Sequence, residues 1–232
     1  MGGQEDRSLA EIAIFGGLTE RELHAIEARC RWRSYAPHEQ IIDFEDDSKD
    51  VFFIVSGAVR VVNYSVSGRE VSFDDIQAGS IFGELAALDG ERRSANVVAI
   101  APTTVASLSP TTFREVLAAH PDVALRLMQR LARIIRISVE RIMDLSTLGA
   151  NNRVYAEILR LAKGGERENG RARISPVPIH GEIASRVSTT RETVARVMSD
   201  LARKGLVRRE GAVLEISDLD MLQDMVEDFR GD

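Results

Sequence analysis

The chain has a single cysteine, Cys30, among 232 residues, and only 5% of its residues are aromatic. One cysteine excludes an intrachain disulfide framework, and with it any iron–sulfur or structural zinc site built on thiolates of one chain. Cys30 itself reads as a small apolar core residue, since cysteine is among the most buried residue types. No apolar run approaches the roughly 18 uncharged residues of a membrane-spanning helix. The opening MGGQEDRSLAEIAIF carries acidic charges where a signal peptide would carry basic ones, so a cytoplasmic protein without a membrane partner is expected. His24, His38, His120 and His180 show no metal-ligand spacing, and no metal is expected. There is no P-loop, no H-E-x-x-H and no G-x-S-x-G, which argues against an enzyme. What is abundant is apolar content, 44% of the chain, enough for one large domain or two small ones with buried cores.

The formal net charge of −6 is unevenly spread. Residues 1–150 carry 16 Lys/Arg against 22 Asp/Glu, residues 151–210 carry 13 against 7, and residues 211–232 carry 1 against 7. An acidic body with one basic segment is the distribution of a protein in which that segment alone attracts a polyanion, although a basic face without a partner would look the same.

Three patterns follow one another. LTERELHAIEARCR has helical spacing, with Thr19 and Glu22 placed for a capping box. From Trp32 to about Leu108, short β-branched and aromatic runs alternate with the turn pairs Ser56-Gly57, Ser67-Gly68, Ala78-Gly79 and Asp89-Gly90, which predicts a small antiparallel barrel or sandwich. Between His120 and Leu148 a long helix is expected, with Leu127, Leu131, Ile134, Ser138, Ile142 and Leu145 forming a coiled-coil-like seam. That seam could cover the chain's own barrel or a second copy of itself. Self-association is favoured, because Ser138 is its single polar position, a place where something could be read between two chains.

Gly149 to Asn152 reads as a hinge, with Asn151 or Asn152 as N-cap. Beyond it the spacing predicts helices over 153–163, 180–187 and 190–204, stopped by Gly205, with the polar loop GGERENGRAR after the first. A hairpin turning at Glu210-Gly211 follows. Two short helices and a hairpin make a winged helix-turn-helix within the basic segment. The acidic tail DLDMLQDMVEDFRGD has helical spacing at Leu219, Leu222, Met225 and Val226 and is expected to cover that domain. The whole is an α+β chain, with a barrel domain over 1–120, a long helix over 121–148 and a winged helix-turn-helix over 149–232.

The most informative stretch is GSIFGELAALDGERRSANV, residues 79–97. A turn built on Gly83 lets backbone N–H groups approach an anionic oxygen. Arg93 offers two parallel hydrogen bonds to a phosphate and Ser94 a hydroxyl. Ionised Glu84, an acceptor only, suits a sugar hydroxyl rather than a phosphate. These parts fit a ribose phosphate; an internal Arg93–Glu84 salt bridge is the structural alternative. The segment F-G-E-L-A-x-L-x-x-x-x-R-S-A closely resembles the phosphate-binding cassette of cyclic-nucleotide-binding domains. The order of barrel, long helix and winged helix-turn-helix resembles the catabolite activator, or cyclic-AMP receptor protein, group of the Crp-Fnr regulators, over about residues 10–217.

That resemblance implies a jelly-roll barrel in which Gly83, Glu84, Leu85 and Ala86 line the ribose and phosphate of a bound cyclic nucleotide, while Arg93 and Ser94 hold its phosphate. Ser138 would reach the base from the long helix across a homodimer. Members that respond to cyclic AMP carry two adjacent polar residues there, whereas this chain has Ser138-Val139, so both cyclic AMP and cyclic GMP stand as effectors. Arg92 replaces a common proline and reads equally as a solvated charge or a ligand contact.

In the basic segment, Arg191, Glu192 and Arg196 begin the second helix of the helix-turn-helix. Arginine can take guanine O6 and N7 together and glutamate can accept from cytosine N4, which suits a G·C-containing half-site. Glu192 capping the helix with Thr189 is the structural alternative. Thr190, His180, Arg186, Arg203 and Arg208 are candidate phosphate contacts. The run R-E-T-V-x-R matches the same family's recognition helix and implies double-stranded DNA carrying an inverted repeat of TGTGA-like half-sites. RNA polymerase is a further implied partner, with GGERENGRAR as the exposed candidate contact. A ligand-independent regulator with a non-responsive cassette is the alternative.

Overall fold

The computed structural model describes residues 7–65 and 70–228. The chain divides into two compact units, residues 1–133 and 134–232.

In the first unit, helix α1 (Glu20–Glu27) begins with the expected capping box. The Thr19 hydroxyl accepts from Glu22 N–H at 3.4 Å, and the Glu22 carboxylate accepts from Thr19 N–H at 2.7 Å. Eight strands follow: β1 (Arg31–Tyr35), β2 (Gln40–Ile42), β3 (Val51–Ser56), β4 (Ala58–Tyr64), β5 (Glu70–Gln77), β6 (Ile81–Phe82), β7 (Asn96–Ala99) and β8 (Thr103–Leu108). They form two antiparallel sheets, in the orders β1-β8-β3-β6 and β2-β7-β4-β5, with the short helix α2 (Glu84–Asp89) between β6 and β7. The β1-β8-β3-β6 sheet feeds alternate residues into two apolar clusters, the second of which it shares with the β2-β7-β4-β5 sheet. Phe53, Val51, Ala106 and Leu108 pack with Phe15 and Phe113, whereas Ile54, Val59, Val97 and Val105 pack with Phe52 and Phe82.

Gly57 and Gly79 each adopt φ +83°, as the predicted turns require, and at Gly57 a Cβ would lie 2.3 Å from the Pro102 carbonyl. Asp89-Gly90 is instead the stop of α2, with Gly90 left-handed at its C-terminus. The Ser67-Gly68 turn lies outside the described residues. Cys30 is half-buried against the Phe53 cluster.

Helix α3 (Pro110–Ala119) leads into α4 (Pro121–Thr147), the expected long helix. Its apolar residues do not form one seam. Val123 and Leu127 are buried and Leu131 half-buried in the first unit's own core, while a second row, Met128, Ala132, Ile135, Val139 and Ile142, is exposed. The intervals of that row, 4, 3, 4 and 3, are those of a heptad seam. Of the predicted seam positions, Ile134, Ser138, Ile142 and Leu145 are exposed while Leu127 and Leu131 turn inward, so the outward apolar row runs through Met128, Ile135 and Val139.

In the second unit, α5 (Ala150–Gly164) starts two residues earlier than a cap at Asn151 allows, and Gly149 is its N-cap, with no side chain in that role. The stretch read as the loop GGERENGRAR is a hairpin of β9 (Glu166–Glu168) and β10 (Arg171–Ile174), turning through Asn169 and Gly170 at φ 50° and 74°. Helices α6 (His180–Arg186) and α7 (Arg191–Arg203) follow, then β11 (Val207–Glu210), β12 (Val213–Ile216) and α8 (Leu219–Asp228). The four strands form one sheet in the order β11-β12-β10-β9. The tail helix α8 closes the core with Leu222 and Val226, both fully buried; Phe229 to Asp232 lie outside the described residues. Among the described residues no helix is long and apolar enough to cross a membrane.

Candidate functional site

In the first unit the cassette is organised around one arginine. Arg93 is 3% exposed and donates from Nη1 to the Gly83 carbonyl (3.0 Å) and from Nη2 to the Asp50 carbonyl (2.9 Å) and the Ser48 hydroxyl (3.2 Å). Its guanidinium lies over the Phe52 ring, which stacks on Phe82 at 5.0 Å. Burial pulls its pKa down, opposed by Asp46, Asp50 and Glu84, and guanidinium remains cationic under any ordinary condition. Its Nε is buried and has no protein partner.

Gly83 sits between β6 and α2 at φ +74°, and a Cβ there would lie 2.9 Å from Arg93 Nη1 and 3.1 Å from the Asp50 carbonyl. Only glycine satisfies both the left-handed backbone and that close approach. Glu84 follows, 6% exposed. Burial pushes its pKa up, against the pull of its own backbone N–H, Arg130 and Arg93. Arg130 of α4 donates to the Ile81 carbonyl at 2.9 Å. Among the described residues no ion pair joins Arg93 to Glu84, so the salt-bridge alternative does not describe this turn. Ala86 is buried, while Leu85 and Ser94 are exposed. Ser94 is steadied through its carbonyl, which accepts from Asn63 Nδ2 at 3.1 Å.

Gly83, Glu84, Ala86 and Arg93 thus come together at one turn, with Leu85 and Ser94 on its exposed side. The sequence reading missed Ser48, Asp50 and Arg130; partners that use a main-chain carbonyl or a hydroxyl on a remote loop leave no motif. Ser138, in the second unit, is exposed on α4. Among the described residues no group of three or more His, Cys, Asp or Glu is arranged to hold a metal ion.

The second unit presents the helix-turn-helix. Val194, Val197 and Leu201 of α7 are buried against Ile183 and Ala184 of α6, leaving Arg191, Glu192 and Arg196 exposed. The turn between the helices is left-handed at Ser188, φ 51°. The N-cap of α7 is Thr190, not Thr189, and its hydroxyl accepts from Thr193 N–H at 3.3 Å. Glu192 is therefore a first-turn residue, its pKa lowered by its own backbone N–H and the Thr190 hydroxyl. Arg196 donates to Asn151 Oδ1 at 3.3 Å.

Of the candidate phosphate contacts, Arg186 is nearly buried and faces Glu157 at 3.5 Å. Arg203 pairs with Asp200 and Arg208 with Glu210; His180 is half-buried. Ile179, where a capping hydroxyl would serve α6, supplies no side-chain bond.

The cyclic nucleotide-binding domain family matches residues 32–120 and the Crp-like helix-turn-helix domain family residues 152–225. The chain belongs to the Crp-Fnr family of transcription regulators. It is 27% identical over 218 residues to the CRP-like cAMP-activated global transcriptional regulator of Mycobacterium tuberculosis, covering 94% of this chain and 97% of that one. It is 29% identical to the cyclic AMP receptor protein of Thermus thermophilus over 212 residues, 91% of this chain and 95% of the other. In structure it resembles a CooA mutant from Carboxydothermus hydrogenoformans, with TM-score 0.78 and 20% identity over 95% of this chain and 96% of that chain. This Crp-Fnr member is accordingly a DNA-binding regulator with a cyclic-nucleotide-binding domain. The family consists of transcription regulators rather than enzymes.

Proposed function

We propose that this regulator is a homodimer gated by a cyclic nucleotide, with cyclic AMP as effector and cyclic GMP as its competitor for that role. The observation that carries the reading is Arg93, a nearly buried cation whose Nε has no protein partner, beside a left-handed Gly83 that admits close approach. A guanidinium so placed can exchange its carbonyl partners for the two oxygens of a phosphate. Glu84 serves the ribose hydroxyl, Ser94 the phosphate, Leu85 and Ala86 the walls, and Ser138 the base. The two relatives are a cAMP-activated regulator and a cyclic AMP receptor protein, which supports cyclic AMP; the apolar Val139 beside Ser138 keeps cyclic GMP in play.

Two copies would meet along the exposed Met128, Ile135, Val139 and Ile142 row of α4. Thr190, Arg191, Glu192 and Arg196 would read an inverted repeat of TGTGA-like half-sites, Thr190 at a phosphate and the others at base edges. The cytoplasm is the compartment, and RNA polymerase the further partner. The ligand acts only as far as it prefers the DNA-competent arrangement.

Calorimetric titration with cyclic AMP and with cyclic GMP tests this, repeated on Arg93→Ala and paired with DNA anisotropy. One nucleotide should bind, tighten DNA binding and do neither in the variant. Equal DNA affinity with and without either nucleotide would instead support the second reading, a ligand-independent regulator. That reading is favoured by the three protein partners Arg93 already has.

A further inference from the structure

Two of the charged side chains of helix α5, Arg153 and Glu157, lie one turn apart on one face. Arg153 donates from Nη1 to the Leu148 carbonyl (2.9 Å), at the corner between α4 and α5. From Nε and Nη2 it donates to the carbonyls of Val187 (2.8 Å) and Ser188 (3.0 Å), in the turn between α6 and α7. These are carbonyls that helix ends leave without an intrahelical partner, and Ser188 holds a left-handed conformation that a residue with a Cβ adopts only when its surroundings impose it.

One turn on, Glu157 is 1% exposed and faces Arg141 of α4 and Arg186 of α6, each at 3.5 Å. It also pairs with Arg160, which reaches Asp144 of α4 at 2.7 Å. The last turns of the long helix and the turn that seats the recognition helix are therefore both fastened to the same face of α5, all within the second unit.

We propose that Arg153 is a positioning residue for DNA reading: it fixes the Val187–Ser188 turn to the α4–α5 corner, and so sets where α7 begins relative to the end of α4. Its three guanidinium nitrogens all donate to main-chain oxygens, so it acts through the recognition helix and not through a phosphate. The inference rests on the DNA-binding role of the family.

Arg153→Ala would strip three carbonyls at once and risk unfolding the unit, so the informative variant is Arg153→Lys, which keeps the charge and loses the planar fork. Two readouts decide the matter. The first, without DNA, is amide exchange at Val187 and Thr189, whose N–H groups donate to Ile183 and Ala184. Exchange there should quicken about tenfold, the scale of one lost charge-assisted hydrogen bond, with Val197 and Leu201 unchanged.

The second is anisotropy on a duplex selected by the wild-type protein from a randomised pool, beside poly(dI-dC), over a range of salt. Affinity for the selected duplex should fall about tenfold, with poly(dI-dC) binding and both salt slopes unchanged. Unchanged exchange at Val187 and Thr189, or acceleration spread evenly over α6 and α7, would overturn the proposal. So would a parallel loss on both DNAs with a salt slope reduced by about one, the mark of a phosphate contact. If the wild type selects no sequence, the DNA-reading assignment fails by itself and the exchange readout still decides the joint.

Discussion

Gly83 and Gly90 bracket α2, both left-handed, at φ 74° and 77°, yet they differ in what surrounds them. At Gly90 a Cβ would meet nothing within 4 Å; at Gly83 it would meet Arg93 Nη1 at 2.9 Å, the Asp50 carbonyl at 3.1 Å and Ile42 Cδ1 at 3.1 Å. Gly90→Ala therefore costs about 1 kcal/mol, the strain of a left-handed alanine. Gly83→Ala carries the same strain plus overpacking of about 1–3 kcal/mol, because the Asp50 carbonyl belongs to the backbone and Arg93 cannot move without releasing its three acceptors. The difference between the variants, about 1–3 kcal/mol, isolates the close approach from the φ preference. Trp32, the chain's only tryptophan, packs against the core of the first unit, so urea unfolding followed by its fluorescence reports on that unit alone. Gly83→Ala should lower the midpoint well beyond Gly90→Ala at an unchanged m-value. Equal midpoints would refute the reasoning, since the Arg93 cradle would then have room that these distances deny.

The remaining predictions concern titration and association. Burial pushes the Cys30 thiol up to about 12, so a thiol reagent at pH 8 should label the native protein far more slowly than the urea-unfolded chain; equal rates would show Cys30 to be exposed. Glu84 has a folded-state pKa raised by burial, so the native state holds that proton more tightly than the unfolded chain. Stability is therefore lost as pH rises through the interval between the two values. Glu84→Gln cannot ionise and should gain on the wild type in urea midpoint from the acid side of the carboxylate range to neutrality; a pH-independent difference would contradict this. Ile135, 63% exposed at the middle of the outward row, changed to Glu should convert a dimer to a monomer in sedimentation equilibrium, and an unchanged mass would remove that face from the interface.

The order of strands, long helix and helix-turn-helix was legible because each depends on local signals: turn glycines, a change of period, and the Thr19–Glu22 box. The register of α4 was not. Leu127 and Leu131 look like the start of a seam in sequence, but the helix is apolar on two sides over its first half, and only tertiary packing decides which side faces inward. The β9–β10 hairpin was missed although Asn169-Gly170 is a strong two-residue turn signal, because charged residues flank it on both sides. At the cassette, the grouping of Gly83, Glu84, Ala86 and Arg93 was readable from their spacing, while Ser48 and Asp50 were not, since Arg93 recruits them from a loop more than forty residues away. Arg153 and Glu157 likewise carry no motif: their partners are main-chain oxygens and arginines that only the folded unit brings near.

The three acceptors that hold Arg93 also bear on how a sensor can be reusable. A binding cation that depended on its ligand for neutralisation would leave the domain strained whenever concentration fell, and occupancy would then be entangled with survival of the fold. Here the guanidinium has Gly83, Asp50 and Ser48 as resident partners, and under the proposed function an incoming phosphate would exchange with some of these oxygens while also bonding the unpartnered Nε. Such an exchange would moderate affinity wherever a new bond replaces an old one. In return the signal of such a sensor would stay a matter of concentration: under the proposed function the cassette would fill and drain repeatedly without the rest of the sheet registering more than a change of partner.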